Sequence, residues 1–302
     1  MNKVVIWGCP PHSHTHSYIH YGFAKSFASL DYDVIWCEDS EEYQSEDLSD
    51  SIIITAYGHC NHMPIYKSAK YFIHNLEDGF YLQDKFDGEN IYNLLVYHEN
   101  YNWNYNVKSI DDFSWYDSST KTAVIMWATD LLPDEIESYQ EILYDKNKEC
   151  VNYVGSLSNE YLQDFTQIIR LNGKLFKNYG GYSGIRSSKT DFGFIDDDES
   201  IELIRKSYLN FDLRPQVHLD NGYIPCRIFK TLSYGCWIGT NSEKVLKFFD
   251  GRITANSDLI SLYEQTEKAS KVSTSEILKD NQNYISKKHT YINRINSLLS
   301  VL

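Results

Sequence analysis

The stretch Gly222-Tyr223-Ile224-Pro225-Cys226-Arg227-Ile228-Phe229-Lys230-Thr231-Leu232-Ser233-Tyr234-Gly235 decides how the rest of the chain is read. Glycine and proline open it, Ile228, Phe229 and Leu232 recur at helical spacing, and Gly235 stands where a left-handed residue closes a helix. The spacing predicts a helix of about three turns. Upstream, Ser207 to Leu213 carries the apolar Tyr208, Leu209, Phe211 and Leu213; downstream comes Cys236-Trp237-Ile238-Gly239-Thr240. Both flanks read as buried strands, so the local order is strand, loop, helix, strand.

The same alternation extends outward in both directions. Cys150 to Leu157 is a strand ending in Gly155-Ser156, followed by a helical stripe of Tyr161, Leu162, Phe165, Ile168 and Ile169. Leu175 to Tyr179 reads as a strand, Gly180 to Gly184 as a loop, and Asp198 to Lys206 as a helix. Beyond Thr240 the pattern predicts a helix over 242–249, a strand over 252–254, a helix over 257–268 and a largely helical segment from 277 to 302. In the first half, Val4 to Cys9, the stripe Ser17 to Leu30 and Asp33 to Asp39 form a strand-helix-strand unit that should cross over right-handedly. Further strands are expected at 51–56, 71–74, 91–97 and 122–130, a short helix across Met63 to Ala69, and long loops or an insertion between Glu77 and Tyr116.

A chain of 302 residues exceeds the usual single domain, and the charged run Asp145-Lys146-Asn147-Lys148-Glu149 makes a connector. The expected architecture is α/β, with two Rossmann-like domains facing each other across a cleft, residues 1–147 and 148–302, the second carrying a C-terminal helix. A formal charge of −14 disfavours nucleic acid and anionic membrane surfaces as partners but leaves room for a local basic pocket. The six cysteines lack CxxC spacing and read as reduced thiols. No run approaches a membrane span and the N-terminus shows no signal-peptide pattern, so the chain is expected in the cytoplasm with no integral membrane segment. The first turn, Gly8-Cys9-Pro10-Pro11-His12-Ser13-His14-Thr15-His16, lacks GxGxxG, which disfavours a dinucleotide even though Glu38-Asp39 follows the second strand.

Val154-Gly155-Ser156, the stretch Tyr208 to His218 and above all Gly222 to Thr240 resemble the donor-binding half of GT-B glycosyltransferases of the spore-protein-like and fucosyltransferase-like kinds. The resemblance implies a nucleotide-sugar-binding second domain, an acceptor-binding first domain, a glycan or glycoconjugate acceptor, and no cofactor or metal beyond the nucleotide sugar as co-substrate. It points to Gly155, Ser156, Arg214, His218, Tyr223, Ile224, Arg227 and Lys230 as donor-binding residues, with Gln216 on the same loop. Physical chemistry favours the same stretch: a helix N-terminus offers unpaired amides to a diphosphate, and Arg227 adds a planar charged donor. Lys230 stands where many members have a glutamate that binds the donor ribose, so the resemblance does not support a retaining mechanism.

An inverting transfer needs a base for the acceptor hydroxyl, and an imidazole near neutrality suits that task. His14 and His16, in the histidine-rich first loop, are the candidates, with His59 and Asp130 in reserve. Zinc at His12, His14, His16 and His20 would need partners of ligand spacing that the sequence does not offer. Asp196-Asp197-Asp198 reads as helix N-terminal charge rather than a metal-nucleotide site. A non-catalytic two-domain module that closes on a sugar or nucleotide, and a sugar-nucleotide epimerase, share this architecture and stay open as alternatives.

Overall fold

A computed structural model describes residues 2–11, 13, 15–76, 88–97, 107–140, 149–155, 162–173, 175–179 and 197–302. The chain divides into two compact units, Met1–Leu132 with His289–Leu302, and Pro133–Lys288.

Unit 1 begins with β1 (Lys3–Gly8), α1 (Thr15–Ser29) and β2 (Asp33–Glu38), continues through β3 (Ser51–Ala56), β4 (Lys70–His74) and β5 (Ile91–Leu95), and ends its sheet with β6 (Val107–Asp111), β7 (Ser114–Asp117) and β8 (Thr122–Ile125). Among the described residues these strands pair in the order β2-β1-β3-β4-β5-β8-β7-β6. The first six are parallel, and β7 and β6 add an antiparallel edge. Every residue of β3 is buried, as expected for a parallel strand covered on both faces. One face packs Val5, Trp7, Ile53, Tyr71 and Ile73 against Leu48, Cys60 and Met63 from the loops.

Three sequence expectations are revised here. No helix forms across 63–69: Tyr66 N–H donates to Tyr71 Oη at 2.9 Å and Tyr71 Oη donates to Pro64 O at 3.0 Å, so a buried side chain takes backbone groups that a helix would use. The strand expected over 122–130 stops at Ile125; the carbonyls of Met126 and Trp127 are taken by the buried Arg294 guanidinium, Nε at 2.8 Å and Nη2 at 3.1 Å, instead of a ladder. Of the stretch read as loops or insertion, 107–117 forms the β6–β7 hairpin, while 77–87 and 98–106 lie outside the described residues.

Unit 2 comprises α2 (Pro133–Gln140), β9 (Cys150–Val154), α3 (Leu162–Asn172), β10 (Leu175–Tyr179), α4 (Asp197–Lys206), β11 (Phe211–Asp212), α5 (Gln216–Asp220), α6 (Cys226–Ser233), β12 (Gly239–Thr240), a 3-10 helix (Glu243–Phe248), β13 (Thr254–Ala255), α7 (Leu259–Val272) and α8 (Ser275–Lys288). Two parallel ladders, β10-β9 and β11-β12-β13, are stitched together ahead of β11. Tyr208 N–H donates to Cys150 O at 2.9 Å and Asn152 N–H to Ser207 Oγ at 2.9 Å. The spatial order is therefore β10-β9-β11-β12-β13. The strand expected over 207–213 narrows to two residues because the segment pairs first with β9 and then with β12. The final helix, α9 (Tyr291–Leu299), packs on α1 in unit 1, with the Phe23 and Tyr291 rings 4.6 Å apart.

All six cysteines are free thiols. Among the described residues no helix is long and apolar enough to cross a membrane.

α6 is the helix of the opening stretch. Ile228, Phe229 and Leu232 are fully buried, and Phe229 packs on Phe249 with ring centroids 5.4 Å apart. Its end is a Schellman closure: Cys236 N–H donates to Thr231 O at 3.0 Å, Gly235 N–H to Leu232 O at 3.1 Å, and Gly235 has φ +74°. A Cβ on Gly235 would also lie 3.2 Å from the amide of Gln282, which donates to Ser233 O. Gly235→Ala is expected to destabilise unit 2 by about 1–2 kcal/mol, the cost of a left-handed L-residue. Urea denaturation checks this, and an unchanged midpoint would contradict it.

Candidate functional site

Both sheets reverse their strand order around their first strand, β1 in unit 1 and β9 in unit 2. The chain leaves the sheet on opposite sides there, which opens a crevice at the carboxyl edge, between β1 and β3 and between β9 and β11. In each unit a side-chain contact spans that crevice.

In unit 2 the span is made by Arg227. Its Nη1 donates to Val154 O at the end of β9, and its Nε lies 3.5 Å from Asp212 Oδ1 at the end of β11. The guanidinium rests 4.1 Å above the Tyr153 ring. Gly155 makes the room: a Cβ there would fall 2.2 Å from Arg227 Nη2, and the residue has φ +142°. Its own N–H is engaged by Tyr179 O at 2.7 Å, so its part in the site is space. Arg227 Nε is buried with no hydrogen-bond partner among the described residues; the Asp212 contact has the range of an ion pair without hydrogen-bond geometry.

Arg214 joins the same carboxylate. Its Nε donates to Asp212 Oδ2 at 3.0 Å and its Nη2 to Asp212 Oδ1, a bidentate pair. Burial alone would pull the Arg214 pKa down, but the Asp212 charge and hydrogen bonds more than reverse this and hold it above its ordinary value. Asn241 fixes the Arg214 backbone from both sides, accepting from its N–H at 2.8 Å and donating to its O at 3.0 Å. The loop expected at 213–218 becomes helix α5 from Gln216, with Pro215 at the N-cap in an extended conformation. Tyr223 lies beside both Arg214 (5.5 Å) and His218 (ring centroids 4.7 Å apart). The structure thus brings together Gly155, Arg214, His218, Tyr223 and Arg227. Ile224 is buried in the core, Lys230 is half-buried one turn beyond Arg227, and Ser156 lies outside the described residues.

In unit 1 the span is Cys9 Sγ to His59 Nδ1, 3.4 Å, from the end of β1 to the end of β3. Burial, with help from Asp39 and Glu38, raises the Cys9 pKa, so this thiol stays protonated. His16, in the first turn of α1, stands with its ring centroid 6.3 Å from His59, 6.1 Å from His74 and 6.0 Å from His20; His20 stacks on His74 at 5.3 Å. Trp127 closes over His74 at 5.1 Å. Among the described residues no group of three or more His, Cys, Asp or Glu has a metal-holding arrangement. His14 lies outside the described residues, and Asp130 accepts from Thr129 Oγ1 at 3.4 Å.

No protein-family model matches the chain, and no curated protein matches it in sequence. Solved structures do. An α-glucosyltransferase in complex with UDP and a 13-mer DNA containing an HMU base matches at TM-score 0.63 and 9% identity, over 99% of this chain and 98% of that one. AviGT4, a glycosyltransferase involved in avilamycin A biosynthesis, matches at TM-score 0.58 and 8% identity, over 100% and 97%. WaaG, a glycosyltransferase involved in lipopolysaccharide biosynthesis, matches at TM-score 0.53 and 10% identity, over 99% of each.

This chain has the GT-B fold. Within that GT-B frame, two residues of the crevices escape a reading of sequence patterns. Asp212 sits in a run read simply as a buried strand, where a carboxylate between Phe211 and Leu213 was the available signal. His74 closes β4, and a polar residue ending a buried parallel strand marks the edge where ligands bind.

His74 is buried with no hydrogen-bond partner on either ring nitrogen among the described residues. Burial pulls its pKa well below the usual histidine value, and His20 and His16 add to the shift. Below about pH 6.5 the unfolded chain therefore binds a proton that the folded chain refuses, and stability falls with pH by up to about 1.4 kcal/mol per unit. The urea midpoint is expected to drop between pH 7 and pH 5, and His74→Leu to drop less; equal slopes would contradict the assignment.

Proposed function

We propose that the chain is a glycosyltransferase that moves a sugar from a nucleoside diphosphate sugar to a hydroxyl of a glycan or glycoconjugate, with unit 2 holding the donor and unit 1 the acceptor. The observation that carries this reading is Arg227: a guanidinium across a switch point, carried on the first turn of α6, with a buried Nε–H lacking a hydrogen-bond partner among the described residues. A diphosphate supplies the missing acceptor and meets the helix N-terminus with the right sign of charge. UDP in the α-glucosyltransferase complex supports a nucleotide donor, and WaaG's part in lipopolysaccharide biosynthesis supports a glycan acceptor. A net charge of −14 speaks against a DNA acceptor.

In the proposed reaction the acceptor oxygen forms a bond to the anomeric carbon as the bond from that carbon to the diphosphate oxygen breaks. The hydroxyl proton passes to an imidazole, His16 or His14, and the negative charge on the departing diphosphate is met by Arg227 and the α6 amides without a metal. Inversion is the proposed outcome, because Lys230 occupies the place of the glutamate that marks retaining members of the resembled families.

Arg227→Ala is expected to weaken binding of the preferred diphosphate among UDP, GDP and dTDP by about 10- to 100-fold, the scale of a lost charged hydrogen bond. Calorimetry reads this alongside an unchanged circular dichroism spectrum, and retained affinity would remove the donor assignment. His16→Ala is expected to lower kcat by roughly 10²- to 10⁴-fold with KM for the donor little changed. Proton NMR of the product reads the anomeric configuration, and retention would overturn the proposed stereochemistry.

A further inference from the structure

Asp212 presents a puzzle of charge. It is fully buried, and it sits among the arginines that the donor reading assigns to an anion. By Coulomb's law alone, a carboxylate in that place repels a diphosphate. Evolution of an anion site by charge alone would leave a neutral residue at the end of β11.

The geometry gives the carboxylate a different use. Arg214 spends two donors on it, from Nε and Nη2, in the planar fork that fixes a guanidinium in both place and orientation. Arg227 is held from three sides: Nη1 on Val154 O, the ring face of Tyr153 below, and Nε 3.5 Å from Asp212 Oδ1. The carboxylate therefore touches both guanidinium groups and holds them apart in defined positions across the crevice. One carboxylate against two guanidinium groups also leaves a positive charge uncompensated within the cluster. A buried arrangement of this kind is stable only while its partners are complete.

We propose that Asp212 is the positioning residue of the donor site: it pre-orients Arg214 and Arg227 for the diphosphate, and its removal weakens diphosphate binding even though it takes away a negative charge. This proposal rests on the donor reading given above. It goes further by predicting the sign of an effect that electrostatics alone would give the other way.

The test measures, by calorimetry on the full chain, binding of UDP, GDP, dTDP and inorganic pyrophosphate, and of the matching nucleosides without phosphate. Asp212→Asn, which keeps the shape and removes the charge, is expected to lower diphosphate affinity by about tenfold or more while leaving nucleoside affinity within about twofold. A merely structural role would move both together. Asp212→Asn leaves two buried guanidinium groups without their carboxylate, so Asp212→Glu is measured beside it. Glutamate keeps the charge and shifts it by one methylene, and it is expected to cost diphosphate affinity at least about threefold with the same nucleoside split. Diphosphate affinity that is unchanged or tighter in Asp212→Asn, or unchanged in Asp212→Glu, overturns the role of Asp212 while leaving the donor reading standing. Wild-type chain that binds none of the diphosphates nor pyrophosphate overturns the donor reading and the proposal with it.

Discussion

Parallel pairing of a first strand with neighbours on both sides is the constraint from which the candidate sites follow. β1 pairs with β2 on one side and β3 on the other, and β9 pairs with β10 and with the segment that leads into β11. Each crossover then departs to its own side, and the backbone cannot fill the gap at the carboxyl edge. Side chains do so instead, and the two units fill it with different chemistry. Unit 1 uses a protonated thiol and imidazoles, with His74 kept from charging by burial. Unit 2 uses guanidinium groups around one carboxylate. The first crevice is thus lined by groups that carry little charge, the second by two guanidinium groups against one carboxylate.

The charge distribution makes sense of an otherwise acidic chain. With a formal charge of −14, long-range attraction for an anionic ligand is weak, so the donor site proposed above would rely on short-range, desolvated and directed donors. Arg214 and Arg227 are both mostly buried, and both are held by contacts that do not depend on solvent. Packing supports the electrostatics: Gly155 gives the Arg227 guanidinium its place, Tyr153 its floor, and the fully buried Ile228 and Phe229 anchor the helix that carries it.

Much of this was legible in the amino-acid sequence because it depends on local signals. The alternation of apolar runs and helical stripes gives β1, α1, β2, β3 and β10 within a residue or two, and the glycine after Tyr234 gives the end of α6. Contacts between residues far apart in sequence were not legible. The ion pair of Asp212 with Arg227 and the clamp of Asn241 on Arg214 leave no periodic trace. Neither does the return of α9 to unit 1, where Arg294 takes carbonyls 167 and 168 residues earlier in the chain. The two-residue strands β11 and β12 show the same limit, since their length is set by which neighbour each residue meets and not by their own apolar run.

The most direct measurement is a crystal structure of the chain with the nucleoside diphosphate that stabilises it most. Diphosphate oxygens are expected within hydrogen-bonding distance, roughly 2.7–3.2 Å, of the Arg227 guanidinium at the β9–β11 crevice, with Asp212 still in contact with Arg214. A diphosphate seated elsewhere, with Arg227 Nε still lacking an acceptor, would contradict the assignment of this crevice as the donor site.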